Sequence, residues 1–102
     1  MFKIDRSILC KGLYSDGEGN FCVLGQYMLY RDLTPEEIYV WNKDATLEDR
    51  FQGILKEVKG LIITDNDDLF DRPSSRPVLE HNILDTLRRS NIPAKFIGEY
   101  PS

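Results

Sequence analysis

The recurrence of apolar residues along the chain predicts helices in three places, and the strongest local signal lies in Leu33-Thr34-Pro35-Glu36-Glu37. Thr34 can cap a helix, Pro35 suits the first helical position, and Glu37 closes a capping box. A short helix should therefore begin at Pro35 and end near Asn42.

Two longer amphipathic helices are predicted further along the chain. One opens with a second capping box at Thr46 and ends before Gly60, which stands where a C-terminal cap belongs. Its apolar stripe consists of Leu47, Phe51, Ile54, Leu55 and Val58. The other runs over residues 77–90 and should end at Asn91. Its apolar face consists of Leu79, Ile83, Leu84 and Leu87.

The stretch that begins at Phe21 has two interpretations. Its apolar residues recur at helical spacing, but residues 21–24 could also form the edge of a strand. Gly25 lies in the middle of this stretch, and glycine inside a helix costs about 1 kcal/mol relative to alanine. We therefore expect another part of the chain to pack closely against Gly25.

Three short strands are predicted. Phe2–Asp5 alternates apolar and polar residues, residues 61–64 form an uncharged run without alternation, and Ala94–Ile97 is a final apolar segment. The acidic stretch 65–71 would then be a turn, so residues 61–97 would form a strand, helix and parallel strand. These elements predict an α+β fold: a small sheet with about three helices, in which the strand at 61–64 is central.

Length and composition predict one domain over residues 1–102, with residues 98–102 as a frayed tail. No apolar run approaches the roughly 20 residues that span a bilayer, and the first residues lack the apolar block of a signal peptide. We therefore expect a cytoplasmic protein without membrane contact. The net charge of −4 comes without a concentrated basic stretch, which argues against direct binding of nucleic acid.

The aspartates that follow residues 61–64 are the first candidate for chemistry. Asp65, Asp67 and Asp68 could hold Mg²⁺ through one or two carboxylate oxygens and water. The spacing does not match a calcium loop, because Leu69 and Phe70 stand where such a loop has an oxygen ligand and a glycine. A solvated turn, in which the aspartates bind local backbone amides, is the commoner reason for such a pattern.

His81 and the two cysteines are the other candidates for catalysis. His81 stands four residues before Asp85 on the predicted third helix and could act as a base, although a histidine on a helix surface gives the same pattern. Cys10 and Cys22 could be nucleophiles with His81, but neither lies in a recognisable motif. Burial as small apolar residues, without a disulfide, is favoured for both.

Aromatic residues give the best functional lead in the sequence. Tyr27, Tyr30, Tyr39 and Trp41 lie within fifteen residues of one another. Tyrosine and tryptophan are the residues on which protein interfaces most often depend. A core lined with aromatic rings would produce the same composition, so both interpretations stay open.

Several segments of the chain resemble a group of small uncharacterised proteins encoded in bacteriophage and prophage genomes. The segments are Ile4-Asp5-Arg6-Ser7, Gly12, Phe21-Cys22-Val23-Leu24-Gly25, Leu33-Thr34-Pro35, Ile63-Thr64-Asp65-Asn66-Asp67, and Ile92-Pro93-Ala94-Lys95-Phe96-Ile97. The resemblance implies a small accessory protein of the bacterial cytoplasm that binds a host or phage protein. It transfers no catalytic residue, and Val23 stands where the pattern has a second cysteine, which weakens the case for a metal held by paired cysteines.

The sequence therefore predicts a non-enzymatic, phage-type accessory protein that acts by binding a protein partner and needs no cofactor. The predicted binding residues are Tyr27, Tyr30, Tyr39 and Trp41. The alternative is a small metal-dependent or nucleotide-handling enzyme that uses Asp65, Asp67 and Asp68.

Overall fold

The computed structural model describes residues 1–44, 49–58, 61 and 63–101. These ranges contain two strands and five α-helices. In chain order they are β1 (Phe2–Asp5), α1 (Val23–Tyr30), α2 (Pro35–Asp44), α3 (Asp49–Glu57), α4 (Ile63–Asp71), α5 (Arg76–Arg89) and β2 (Ala94–Ile97).

The two strands lie side by side in parallel although they come from opposite ends of the chain. Phe2 is opposite Ala94 and Asp5 is opposite Ile97, and the Phe2 N–H donates to the Pro93 carbonyl at 3.1 Å. All five helices belong to the connection between the strands. Helices α1 and α5 pack against the sheet, and α4 packs against both α5 and α1.

The predicted central strand at residues 61–64 is wrong, and with it the strand-helix-strand unit over 61–97 and the count of about three helices. Ile63 and Thr64 begin α4, which continues through the acidic residues to Asp71. Asn66 and Leu69 are buried on one side of this helix. Aspartate in the first turn of a helix is favoured by the helix dipole, and burial of Leu69 outweighs the weak strand preference of β-branched residues.

Other predicted elements are confirmed. The structure contains the two terminal strands and the helix after Ser75, which ends before Asn91, a residue in the left-handed conformation with a φ of 63°. Of the two interpretations of the stretch that begins at Phe21, the structure shows the helix, at Val23–Tyr30. The buried residues Phe51, Ile54 and Val58 confirm part of the apolar stripe of α3. Its predicted caps at Thr46 and Gly60 lie outside the described residues.

The capping box of α2 is present as predicted. The Thr34 hydroxyl accepts from the Glu37 N–H at 3.2 Å, and the Glu37 carboxylate accepts from the Thr34 N–H at 3.1 Å. Backbone donors at the start of α2 are thus bound by side chains, as helix termini require.

Thr34→Ala is expected to lower the free energy of unfolding by about 1 kcal/mol, because the Glu37 N–H loses its acceptor. Thr34→Ser, which keeps the hydroxyl, should lose less than half as much. Urea denaturation of the two variants measures both values. Equal losses would contradict a capping role for the hydroxyl.

Three side-chain amides fix the irregular segment between β1 and α1. Each carboxamide forms hydrogen bonds with main-chain groups. Gln26 binds Asp5 and Phe21. Asn42 binds Tyr14 and Ser15, and Asn66 binds Cys10 and Val23. Tyr14 thereby packs on Phe51, with ring centroids 5.3 Å apart. These contacts hold the segment against the core, where its backbone groups would otherwise lack partners.

Candidate functional site

The main-chain groups of β1 point in two directions. Because the Phe2 N–H donates to Pro93, and successive residues of a strand direct their amides to opposite edges, Lys3 and Asp5 direct theirs away from β2. The contacts of Asp5 agree with this geometry. Its N–H donates to Gln26 Oε1 at 2.7 Å, and its carbonyl accepts from Gln26 Nε2 at 3.0 Å.

The buried Gln26 carboxamide therefore covers one residue of the β1 edge as a neighbouring strand would. Lys3 lies two residues before Asp5, so its N–H and C=O point to the same edge. Among the described residues, no strand lies along this edge, since the sheet consists of β1 and β2 alone. The outward main-chain N–H and C=O of Asp5 thus have hydrogen-bond partners, whereas those of Lys3 are free to bind another chain.

A groove of about 480 Å³ runs beside the open edge. We call it the edge groove. It lies between β1 and α1, and its walls include Met1, Phe2, Lys3, Ile8, Leu29 and Tyr30. Leu29 and Tyr30 follow Gln26 by three and four residues, so both lie near Gln26 on one side of α1. The Tyr30 ring leans on Phe2 with centroids 5.3 Å apart, and 49% of Tyr30 is exposed.

This arrangement can bind an extended polypeptide through both its main chain and its side chains. The main chain of Lys3 supplies one donor and one acceptor at strand spacing, and the apolar walls can receive alternate side chains of an added strand.

The four aromatic residues predicted to bind a partner do not form one surface. Tyr30 lines the edge groove, and Tyr39 is 41% exposed on α2 with its ring against Gly17. Tyr27 and Trp41 are each only 3% exposed. A binding role for these residues stays a prediction, and Tyr30 and Tyr39 are the two that a partner can reach.

The two buried rings, Tyr27 and Trp41, contact side chains of α3. Trp41 packs on Phe51 with centroids 4.8 Å apart. The Tyr27 hydroxyl donates to Glu57 at 2.6 Å, and burial together with this hydrogen bond raises the pKa of Tyr27 to about 12. Both side chains therefore contribute to the core.

The aspartates of the alternative hypothesis lie on α4. Asp67 accepts the Gly12 N–H at 2.9 Å, and Asp71 forms an ion pair with Lys11. Both carboxylates thus bind the segment before α1. In the described part of the chain, no group of three or more acidic, histidine or cysteine side chains is arranged to hold a metal ion.

His81 and the cysteines are placed as follows. His81 is exposed on α5, where Asp85 pairs with Arg89 at 2.7 Å. Cys22 is buried and its Sγ accepts from the Gly25 N–H, whereas Cys10 is partly buried. Burial raises the pKa of Cys22 to about 12 and that of Cys10 to about 11. Both thiols are therefore protonated at neutral pH and poor nucleophiles.

Sequence reasoning missed Gln26 as a part of the site. The signal was present, because Gln26 is the one amide in the apolar run from Phe21 to Tyr30. A buried polar side chain in such a run needs hydrogen-bond partners. Gln26 finds them in the main chain of Asp5, at the edge of β1.

A second polar cluster joins the two ends of the chain to α5. Arg6 binds both carboxylate oxygens of Glu80, at 2.7 and 2.9 Å, and the Tyr100 hydroxyl donates to the same carboxylate. Arg76 stacks on the Tyr100 ring at 3.9 Å. Tyr100, which lies in the segment 98–102 for which the sequence predicts a frayed tail, is thus held by Glu80 and Arg76.

The stability of the protein is expected to fall at acidic pH in a way that depends on Glu80. Burial alone raises the pKa of Glu80, but hydrogen bonds from Arg6 and Tyr100 outweigh it and hold the pKa below its usual value. The contribution of Glu80 is therefore complete above the pKa of an unfolded glutamate and is lost as the pH falls through the lower folded value. Melting temperatures measured against pH should decline less steeply in Glu80→Gln than in the wild type, and parallel declines would contradict this role.

Comparison with known proteins gives no relative from which a function could be transferred. No family model matches the chain, and neither the curated proteins nor the solved structures contain a significant match. Among the described residues, no helix combines the length and apolarity that crossing a lipid bilayer requires.

Proposed function

We propose that this protein is a non-enzymatic interaction protein that binds an extended segment of a partner protein along the open edge of β1. The observation that carries the proposal is the direction of the Lys3 main chain, which points to the edge groove and not to a neighbouring strand. An unpaired strand edge is a template for another chain. Strand addition to such an edge is a common mode of peptide recognition.

The side chains beside the edge support this mode of binding. Leu29 and Tyr30 form an apolar wall on the side of the sheet where Phe2 is buried. An added strand would direct every second side chain towards that wall. Tyr30 is thus the aromatic residue for which the proposal assigns a direct contact with the partner.

The biological setting is proposed from the sequence resemblance alone. Similarity to phage and prophage proteins supports an accessory role in the bacterial cytoplasm, with a host or phage protein as the partner. The enzyme alternative at Asp65, Asp67 and Asp68 receives no comparable support, because Asp67 accepts the Gly12 N–H and the described residues include no group of three or more acidic, histidine or cysteine side chains arranged to hold a metal ion.

The experiment is a selection of short random peptides displayed on a surface, followed by measurement of Kd for a selected peptide by fluorescence anisotropy. Lys3→Pro removes the outward N–H and places a ring in the path of the partner, while the hydrogen bonds between β1 and β2 remain. We expect it to weaken binding at least about tenfold, the equivalent of about 1.4 kcal/mol.

Lys3→Thr is the matched control, because it removes the same side-chain charge and keeps the N–H. It should weaken binding much less than Lys3→Pro. Tyr30→Ala, at an exposed position, should also weaken binding. Failure to select any peptide, or equal affinity of wild type and a folded Lys3→Pro variant, would reject the proposal.

A further inference from the structure

Two lysines lie side by side on the outer face of the sheet. Lys3 of β1 is opposite Lys95 of β2 in the parallel register, and both are exposed. Paired residues of neighbouring strands are about 5 Å apart at the backbone, and like charges directly opposite destabilise a sheet. Among the described residues, neither lysine has a carboxylate partner.

A third cation lies at the adjoining end of the sheet. Arg88, in the last turn of α5, lines a second groove of about 440 Å³ together with Met1, Pro93 and Ala94. Its side chain is 73% exposed and 3.9 Å from Asp85, a carboxylate that binds Arg89 more closely. Lys3 and Lys95, which we call the basic strip, thus place two positive charges on the outer face of the sheet, and Arg88 adds a third at the end of the sheet, in a chain whose net charge is −4.

We propose that the segment bound at the β1 edge is acidic, with carboxylate side chains that alternate with apolar ones. The inference rests on the proposed function and names the chemistry of its partner. In an added strand, one set of side chains lies on the outer face next to Lys3, and Lys95 lies on that face one strand further away, about 10 Å at the backbone. The other set lies on the opposite face, towards Leu29 and Tyr30.

The same charges disfavour a second copy of this chain as the occupant. Two β1 edges paired about Lys3 would bring the two Lys3 side chains together, which is how edge lysines prevent self-association of sheets. A nucleic acid would use the charge of the basic strip but not the Lys3 amide or the apolar wall. An acidic polypeptide uses all three features.

The test compares three peptides: one in which glutamate alternates with valine, and the same peptide with glutamine or with lysine in place of glutamate. We expect the glutamate peptide to bind about tenfold more tightly than the glutamine peptide, and the lysine peptide to bind weakest. The advantage of the glutamate peptide should shrink as salt is raised, because exposed charges are screened.

Lys95→Glu separates binding from folding. It puts opposite charges side by side on the sheet, so the melting temperature should rise or stay unchanged. Binding of the glutamate peptide should nevertheless weaken several-fold, because the substitution removes one positive charge from the outer face of the sheet and adds a negative one, while the Lys3 edge is untouched. Loss of binding with a raised melting temperature cannot be explained by unfolding.

Each contrary outcome has a distinct meaning. Equal binding of the three peptides, or preference for lysine, would overturn the acidic partner and leave strand addition standing. Absence of binding by all three would also overturn the acidic partner if the selection yields another peptide that binds, and it would overturn the proposed function itself if the selection yields none. If single-stranded oligothymidylate displaced the peptide at physiological salt, the ligand of this edge would be a nucleic acid and not an acidic polypeptide. If sedimentation showed dimers that Lys3→Pro abolishes, the ligand would be a second copy of the chain.

Discussion

Gly25→Ala should destabilise the protein by about 3 kcal/mol or more, because the added methyl group would collide with the main chain of a neighbouring segment. A Cβ at this position would lie 1.9 Å from the Tyr14 carbonyl oxygen and 2.9 Å from its carbon. The obstacle is backbone, and the Tyr14 N–H is itself held by Asn42 at 2.7 Å. The added methyl therefore has to displace either α1 or the segment before it.

Gly53→Ala is the matched control. Gly53 lies inside α3, and nothing is within 4 Å of the position of its Cβ. The same substitution should stabilise the protein there by up to about 1 kcal/mol, because alanine favours the helix. Chemical denaturation of both variants gives the two values. A stable Gly25→Ala variant would mean that α1 does not touch the Tyr14 carbonyl.

Asn66→Leu should lower the free energy of unfolding by about 3 kcal/mol, although leucine has nearly the shape of asparagine. Asn66 is 2% exposed. Its Oδ1 accepts from the Val23 N–H at the start of α1 at 3.0 Å, and its Nδ2 donates to the Cys10 carbonyl at 2.9 Å. The substitution leaves this donor and this acceptor without a partner, and each unsatisfied buried group costs about 1–3 kcal/mol.

Asn82→Leu, at an exposed position of α5, controls for the change of side chain. It should alter the free energy of unfolding by less than about 0.5 kcal/mol. If Asn66→Leu were equally mild, the hydrogen bonds of Asn66 would not be what fixes α4 to the start of α1.

Local signals in the sequence were sufficient for several parts of the fold. The capping box at Thr34 and Glu37 depends on residues three apart, so its geometry can be derived without the rest of the chain. The close packing at Gly25 was also predictable, because a glycine that costs helix stability needs a reason in the packing. The sequence did not reveal that the neighbour is the carbonyl of Tyr14.

The parts that could not be predicted depend on contacts between distant residues. Residues 61–64 have the composition of a strand, but the helix forms because Asn66 and Leu69 are buried further on. The pairing of β1 with β2 joins the two ends of the chain, and no local pattern records it. The open edge follows from that pairing and from Gln26, so the candidate site was beyond sequence reasoning. Of the four aromatic residues in the predicted binding set, only Tyr30 lines this site.

Hydrogen exchange of the Lys3 amide, measured by NMR with and without a selected peptide, tests most directly whether this edge receives a partner strand. In the free protein the Lys3 amide should exchange much faster than that of Phe2, which donates to Pro93. Added peptide should slow exchange at Lys3 and leave Phe2 unchanged. A Lys3 amide that is already protected in the free protein, or that exchanges at the same rate when the peptide is bound, would contradict strand addition at β1.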